Sequence, residues 1–170
     1  MENLSEILFK EVCKVNILEF LDQLWESGNT PTLVSCSGTE SFVELYSPSI
    51  LQIKERWDKG YAIYFTLKNF DFLGLKLPWL NLDISEVDVG YELSLTIEEI
   101  DLWKATSVEA LRDWVSTLAN RLDVVEYFAG IMPAIDEDTC YFNKEGIPSV
   151  YTKIQHVSRE IEGWSARNDR

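Results

Sequence analysis

The middle of the chain alternates apolar and polar residues, and this pattern limits the possible folds more than any other feature. In "LNLDISEVDV" (80–89) and "YELSLTI" (91–97), leucines, isoleucines and valines alternate with polar or acidic residues. Successive side chains of a strand point to opposite faces, so this period predicts strands with one buried face. Upstream, "TPTLVSCSGTESFVELYSPS" has the pattern of a hairpin, and "ILQIKERW", "DKG" and "YAIYFTL" have that of a second. The sequence therefore predicts a central antiparallel sheet over residues 32–103.

Apolar residues recur at helical spacing on both sides of this sheet. They predict helices over residues 5–27, 107–129 and 150–163. Ser5 would cap the first helix, and Thr106 and Glu109 have capping-box spacing before the second. We therefore predict an α+β fold, a single domain over residues 1–170, with the helices packed on one face or end of the sheet. The polar residues 165–170 are expected to fray.

Composition indicates an ordered, intracellular protein. Apolar residues make up 46% of the 170 positions, which is enough for a hydrophobic core. Three widely spaced cysteines, Cys13, Cys36 and Cys140, predict free thiols in a reducing compartment. The N-terminal "MENLSEILFKEVCKV" lacks the features of a signal peptide, and no apolar run approaches the roughly 20 residues that span a bilayer. We expect a cytoplasmic protein that does not associate with membranes.

No motif in the sequence indicates catalysis or a bound cofactor. A Ser-His-Asp arrangement would need the single histidine, His156, and no G-x-S-x-G motif precedes a helix. A pair of His156 with Cys36 or Cys140 stays open. Closely spaced zinc ligands, a calcium loop and a glycine-rich phosphate loop are all missing from the sequence, and "EEIDLWK" suits a magnesium nuclease poorly. We predict no catalytic residues, no metal and no cofactor.

Residues 77–103 form an acidic stretch with seven carboxylates and no lysine or arginine, in a chain of net charge −14. Such a charge repels nucleic acid and anionic lipid and attracts basic proteins. The acids could form a catalytic or metal site, a docking face or only the solvated side of a sheet. Asp83, Glu86, Asp88 and Glu92 do not share one parity, so a bulge would be needed to gather them.

Trp79 and Trp103 bracket the stretch, and we expect them to be more exposed than the tryptophans on helix faces. The predicted partner-binding residues are Asp83, Glu86, Asp88, Glu92, Glu98, Glu99, Asp101, Trp79 and Trp103.

Several of these features together resemble a known class of proteins. They are the charge, the lone His156, the run "ILQIKERWDKGYAIYFTL" before the acidic "DISEVDVGYELSLTIEEIDLW", and the capped segment "SVEALRDWVSTLANRL". In the layout of residues 32–129, the chain resembles immunity proteins of bacterial contact-dependent growth inhibition and related polymorphic toxin systems. This resemblance implies a small antitoxin that binds and blocks a cognate toxin domain in the cytoplasm.

We therefore predict an immunity protein that is not an enzyme and that binds its toxin through an acidic face. The expected partner is a basic, nuclease-like toxin domain, because an acidic protein can occupy a surface built for phosphate. Two alternatives remain: a small acidic adaptor or accessory module and, less favoured, a metal-dependent hydrolase.

Overall fold

The computed structural model describes residues 3–38, 41–135 and 139–146, which form eight strands and four helices. The predicted helix 150–163, the tail 165–170 and His156 lie outside the described residues. The strands are β1 (Leu4–Val12), β2 (Leu33–Ser37), β3 (Phe42–Tyr46), β4 (Ala62–Phe72), β5 (Leu75–Glu86), β6 (Tyr91–Glu98), β7 (Tyr127–Ile131) and β8 (Cys140–Asn143). The helices are α1 (Lys14–Glu26), α2 (Ile50–Asp58), α3 (Glu99–Ala105) and α4 (Val108–Leu122).

All eight strands belong to one antiparallel sheet in the order β3-β2-β4-β5-β6-β1-β7-β8. The predictions of an α+β fold and of a central antiparallel sheet are confirmed. The sheet is larger than predicted, because β1, β7 and β8 extend it beyond residues 32–103.

The prediction of one helix over residues 5–27 was wrong for its first part, which forms β1. This strand pairs with β6 on one side and β7 on the other, and Ser5–Phe9 are all buried. A strand inside a sheet that is buried on both faces has no clear alternation, so its period is hard to recognise. The helix begins only at Lys14, after Cys13 as N-cap.

Residues 50–57, predicted as a strand, instead begin helix α2. The Ser49 hydroxyl accepts a hydrogen bond from the Gln52 backbone N–H, and the Gln52 side chain accepts one from the Ser49 N–H. This capping box satisfies two backbone donors at the start of the helix. Ile53 and Trp57, four residues apart, are its buried side chains.

The helix predicted over residues 107–129 ends at Leu122. Asp123 adopts a left-handed conformation with φ 53°, which terminates the helix. Residues 127–131 then form β7, in which Tyr127 pairs with Phe9 of β1.

Two helices contact the same row of side chains on β4. Phe20 of α1 packs edge-on against Phe72, with ring centroids 5.8 Å apart, and Trp114 of α4 packs against Phe70 at 6.4 Å. The Trp114 indole also donates a hydrogen bond to the Phe72 carbonyl, at 2.9 Å. Asn69, with φ 53°, changes the parity of β4, so that this buried row continues through Ile63, Phe65 and Leu67. Tyr64, Thr66 and Lys68 alternate with those three residues and are exposed. We call the surface formed by this exposed row and by the residues in register with it on β1 to β6 the open face.

Gly130 allows β7 to approach β8 closely, which makes it a test of this edge of the sheet. A Cβ at this position would clash with the Thr139 carbonyl oxygen and lie 2.9 Å from the Cys140 Cα. Backbone cannot move aside cheaply, so we expect Gly130→Ala to lower the free energy of unfolding by about 1–3 kcal/mol in urea denaturation.

Gly60→Ala is the matched control. Gly60 has φ +82° and open space around its Cα, so its substitution strains only the backbone. We expect a loss of about 1 kcal/mol. A Gly130 variant as stable as the native protein would contradict the described packing of β7 against β8.

Candidate partner-binding surface

The open face has a shallow hollow at its centre. Strand register places Tyr64 opposite Asp83 and Asp83 opposite Ser94, with Thr66, Asn81 and Thr96 as the next line across β4, β5 and β6. The hollow has a volume of about 520 Å³. Its lining residues are Leu4, Thr32, Leu33, Ser35, Tyr64, Phe65, Thr66, Lys68, Asn81, Leu82, Asp83, Thr96 and Met132. We call it the open-face hollow.

Asp83 is a half-buried carboxylate in this hollow. Burial raises its pKa, a hydrogen bond from the Ser85 hydroxyl at 2.7 Å acts in the opposite direction, and the charges of Glu6 and Glu92 raise the pKa further. Because water is partly excluded, the charge of Asp83 is poorly solvated.

Glu6 on β1 adds a second carboxylate to the same face. It is 9% exposed and accepts hydrogen bonds from the Ser94 hydroxyl at 2.9 Å and from the Ala134 backbone N–H at 3.0 Å. These contacts hold its side chain beside β6. Asp83, Glu6 and Glu92 therefore concentrate negative charge across β5, β6 and β1.

The predicted acids do not gather at one point. The parity of the strands places Asp83, Glu92 and Glu98 in open-face rows, whereas Glu86 has the opposite parity and Asp88 lies in the β5–β6 turn. Glu99 and Asp101 lie on α3, beyond the other end of β6. The ends of β6 are about 23 Å apart at about 3.3 Å per residue. Partner binding by these residues stays a prediction.

The expectation that Trp103 is exposed was wrong. Trp103 is 9% exposed and packs against Tyr141, with ring centroids 5.0 Å apart. The Tyr141 hydroxyl donates to Glu99 at 3.0 Å and lies 3.0 Å from the Ser5 hydroxyl, and burial raises its pKa. Trp103 thus belongs to the core between α3 and β8. Trp79 is half-buried on β5, opposite Lys68.

Sequence reasoning missed several residues of the open face, including Glu6, Tyr64 and Asn81. Glu6 lay in a segment predicted as helix, so strand alternation was not applied to it and its position beside Ser94 was not predicted. Tyr64 and Asn81 lay in predicted strands, and their alternation with buried neighbours could have identified them. Only the pairing of β4 with β5 brings them to one hollow, and that pairing is not visible in a single sequence.

Neither of the two buried cysteines has the surroundings of a catalytic nucleophile. Cys36 and Cys140 are buried free thiols whose pKa is raised by burial, whereas a nucleophilic cysteine needs a lowered pKa. Within residues 3–38, 41–135 and 139–146, no group of three or more His, Cys, Asp or Glu side chains could hold a metal ion. No helix in the same ranges is long and apolar enough to cross a membrane.

Sequence comparison places the chain in a known class. A sequence model of the PABL017 Cdi1I immunity protein family matches residues 3–147, most of the chain. The chain is therefore an immunity protein, as predicted. It belongs to the PABL017 Cdi1I immunity protein family. Comparison with curated proteins finds no match.

Structural comparison finds a related fold in a solved complex. The fold resembles that of a chain in the 1.75 Å crystal structure of the toxic C-terminal tip of CdiA from Pseudomonas aeruginosa in complex with immune protein. The TM-score is 0.68 at 16% sequence identity, and the match covers 88% of this chain and 99% of that chain. At this identity the likeness establishes the fold alone.

The burial of Trp103 predicts a structural effect on substitution. Trp103→Ala should lower the free energy of unfolding by about 3–5 kcal/mol, because it leaves a cavity against Tyr141. Trp79→Ala, at a half-buried position, should cost less than about 2 kcal/mol. Urea denaturation measures both. Equal losses would contradict the different burial of the two rings.

The raised pKa of Asp83 predicts that its charge destabilises the fold. An aspartate whose pKa is higher in the folded than in the unfolded protein contributes most stability below the unfolded pKa and loses it as the pH rises through the folded pKa. Asp83→Asn should therefore raise the free energy of unfolding at pH 7 by less than about 1 kcal/mol, because water still reaches the group, and should raise the melting temperature slightly.

This gain should vanish in acid, where native Asp83 is itself protonated. Asp88→Asn in the exposed turn is the control and should leave the melting temperature unchanged. Melting curves between about pH 3 and about pH 8, a range that begins below the ordinary Asp pKa of about 3.9, measure both variants. A native protein more stable than the Asp83 variant at pH 7 would contradict this assignment.

Proposed function

We propose that this immunity protein neutralises a cognate CdiA-type toxin domain by binding it in the cytoplasm through its acidic surface, without catalysis of its own. The observation that carries the proposal is the family match over residues 3–147. The net charge of −14 supports a basic partner, because opposite charge accelerates association and discourages other partners.

A nuclease-like toxin would suit this surface for a physical reason. Such an enzyme needs lysine or arginine side chains to bind phosphate. These side chains repel a positively charged protein and attract a negatively charged one. An acidic protein that covers them excludes the substrate. The exposed acids of the chain, including Glu86 and Asp88, can contribute long-range attraction without losing their own solvation.

Charge reversal tests the acidic surface. Glu86→Lys combined with Asp88→Lys changes two exposed residues, so folding should be preserved to within about 1 kcal/mol. Association with a CdiA-type toxin domain that the native chain captures in a pull-down should slow by about tenfold, and its salt dependence should flatten. Surface plasmon resonance at two salt concentrations measures both quantities.

Glu19→Lys combined with Glu26→Lys is the matched control, because it makes the same charge change at exposed positions of α1. We expect it to slow association less. Equal effects of the two variants would mean that only net charge matters and that the acidic stretch is solvated sheet surface. Failure of the native chain to bind the toxin domain, or to protect cells that produce it, would overturn the proposed function.

A further inference from the structure

Four exposed apolar side chains surround the open-face hollow. Leu4 and Leu33 are each 37% exposed, Tyr64 is 39% exposed and Met132 is 51% exposed, and all four line the hollow. Scattered exposed apolar residues are ordinary, but several around one concave surface are typical of a protein interface. Tyrosine and methionine are also enriched in such interfaces.

The interior of the hollow is polar and carries a carboxylate. Thr66 donates a hydrogen bond to Asn81, so these two side chains partly satisfy each other. The Ser85 hydroxyl donates a hydrogen bond to Asp83, and the carboxylate can accept further hydrogen bonds. Glu6 and Glu92 lie near Asp83 and add negative charge, whereas Glu44 lies farther away, on β3.

We propose that the open-face hollow anchors the toxin domain by receiving one of its arginine or lysine side chains, whose charged end pairs with Asp83. This inference rests on the proposed function and names the contact that would carry it. Leu4, Leu33, Tyr64 and Met132 then exclude water around the pair. A desolvated charge pair inside an apolar rim is the usual arrangement of an energetically dominant interface contact.

Lys68, a cation that lines the hollow, allows the sign of the bound charge to be tested. Lys68 lies on β4 two residues from Thr66 and lines the hollow, so it repels an incoming positive charge. Removing Asp83 should weaken the complex, whereas removing the charge of Lys68 should strengthen it. A hollow that bound an anionic or an uncharged group would not give these opposite signs.

The test measures binding of the same CdiA-type toxin domain. Asp83→Asn should raise the dissociation rate by about 30-fold or more, whereas Asp88→Asn should alter only association.

Lys68→Gln should lower the equilibrium dissociation constant by about threefold, and Lys104→Gln, an exposed change on α3, should leave it unchanged. Tyr64→Ala should raise the dissociation rate as well, because the rim would then admit water.

Backbone amide NMR of the isotope-labelled chain locates the contact independently of charge. Addition of the toxin domain should shift the amides of residues 64–68 and 81–83 and leave those of α1 unchanged. Equal dissociation rates for Asp83→Asn and Asp88→Asn, or shifts confined to surfaces away from the hollow, would overturn this inference while leaving toxin binding intact. Absence of any binding by the native chain would overturn the proposed function and this inference together.

Discussion

Burial of one row of side chains along the central strands determines the rest of the structure. Phe65, Phe70 and Phe72 of β4 contact rings of α1 and α4, and the buried leucines of β5 and β6 stand beside them in register. Neighbouring residues of a strand point to opposite faces, and Asn69, with φ 53°, changes the parity of β4 between Phe65 and Phe70. With that one shift, the buried row fixes which residues form the open face. A shift of one residue in the register of β5 would bury Asp83 and expose Leu82.

The charges on the open face oppose stability, which makes them informative. Burial raises the pKa of Asp83, and the nearby carboxylates of Glu6 and Glu92 raise it further. A protein selected only for stability would place an uncharged residue at this position. Glu6 is held by two hydrogen bonds, so its placement is reproducible in every folded molecule. A positive group from a partner would offset this repulsion. Removal of the repulsion would then make the free energy of binding more favourable.

The sequence allowed the strands with a regular period to be predicted, and the errors have physical causes. β6 and residues 80–84 of β5 alternate cleanly, because one face is buried. Leu4, Leu8 and Val12 are four residues apart, a spacing that falls on one face of both a helix and a strand, so period alone could not distinguish the two. For α2, the deciding signal was the pair Ser49 and Gln52, which caps a helix. The hollow could not be predicted, because it needs the non-local pairing of β4, β5, β6 and β1.

Under the proposed function, the separation of the buried row from the open face would let such a protein change partner without losing its fold. Buried positions need only stay apolar and of suitable size, and cores tolerate many such exchanges. The fold is shared with a chain that is only 16% identical. Open-face residues such as Tyr64, Asn81 and Asp83 alternate with the core but make few of its contacts, so they can vary with little effect on packing. If the toxin binds as proposed, specificity for one toxin is best encoded on the open face, where a substitution changes the proposed partner surface and the helices on β4 keep their contacts.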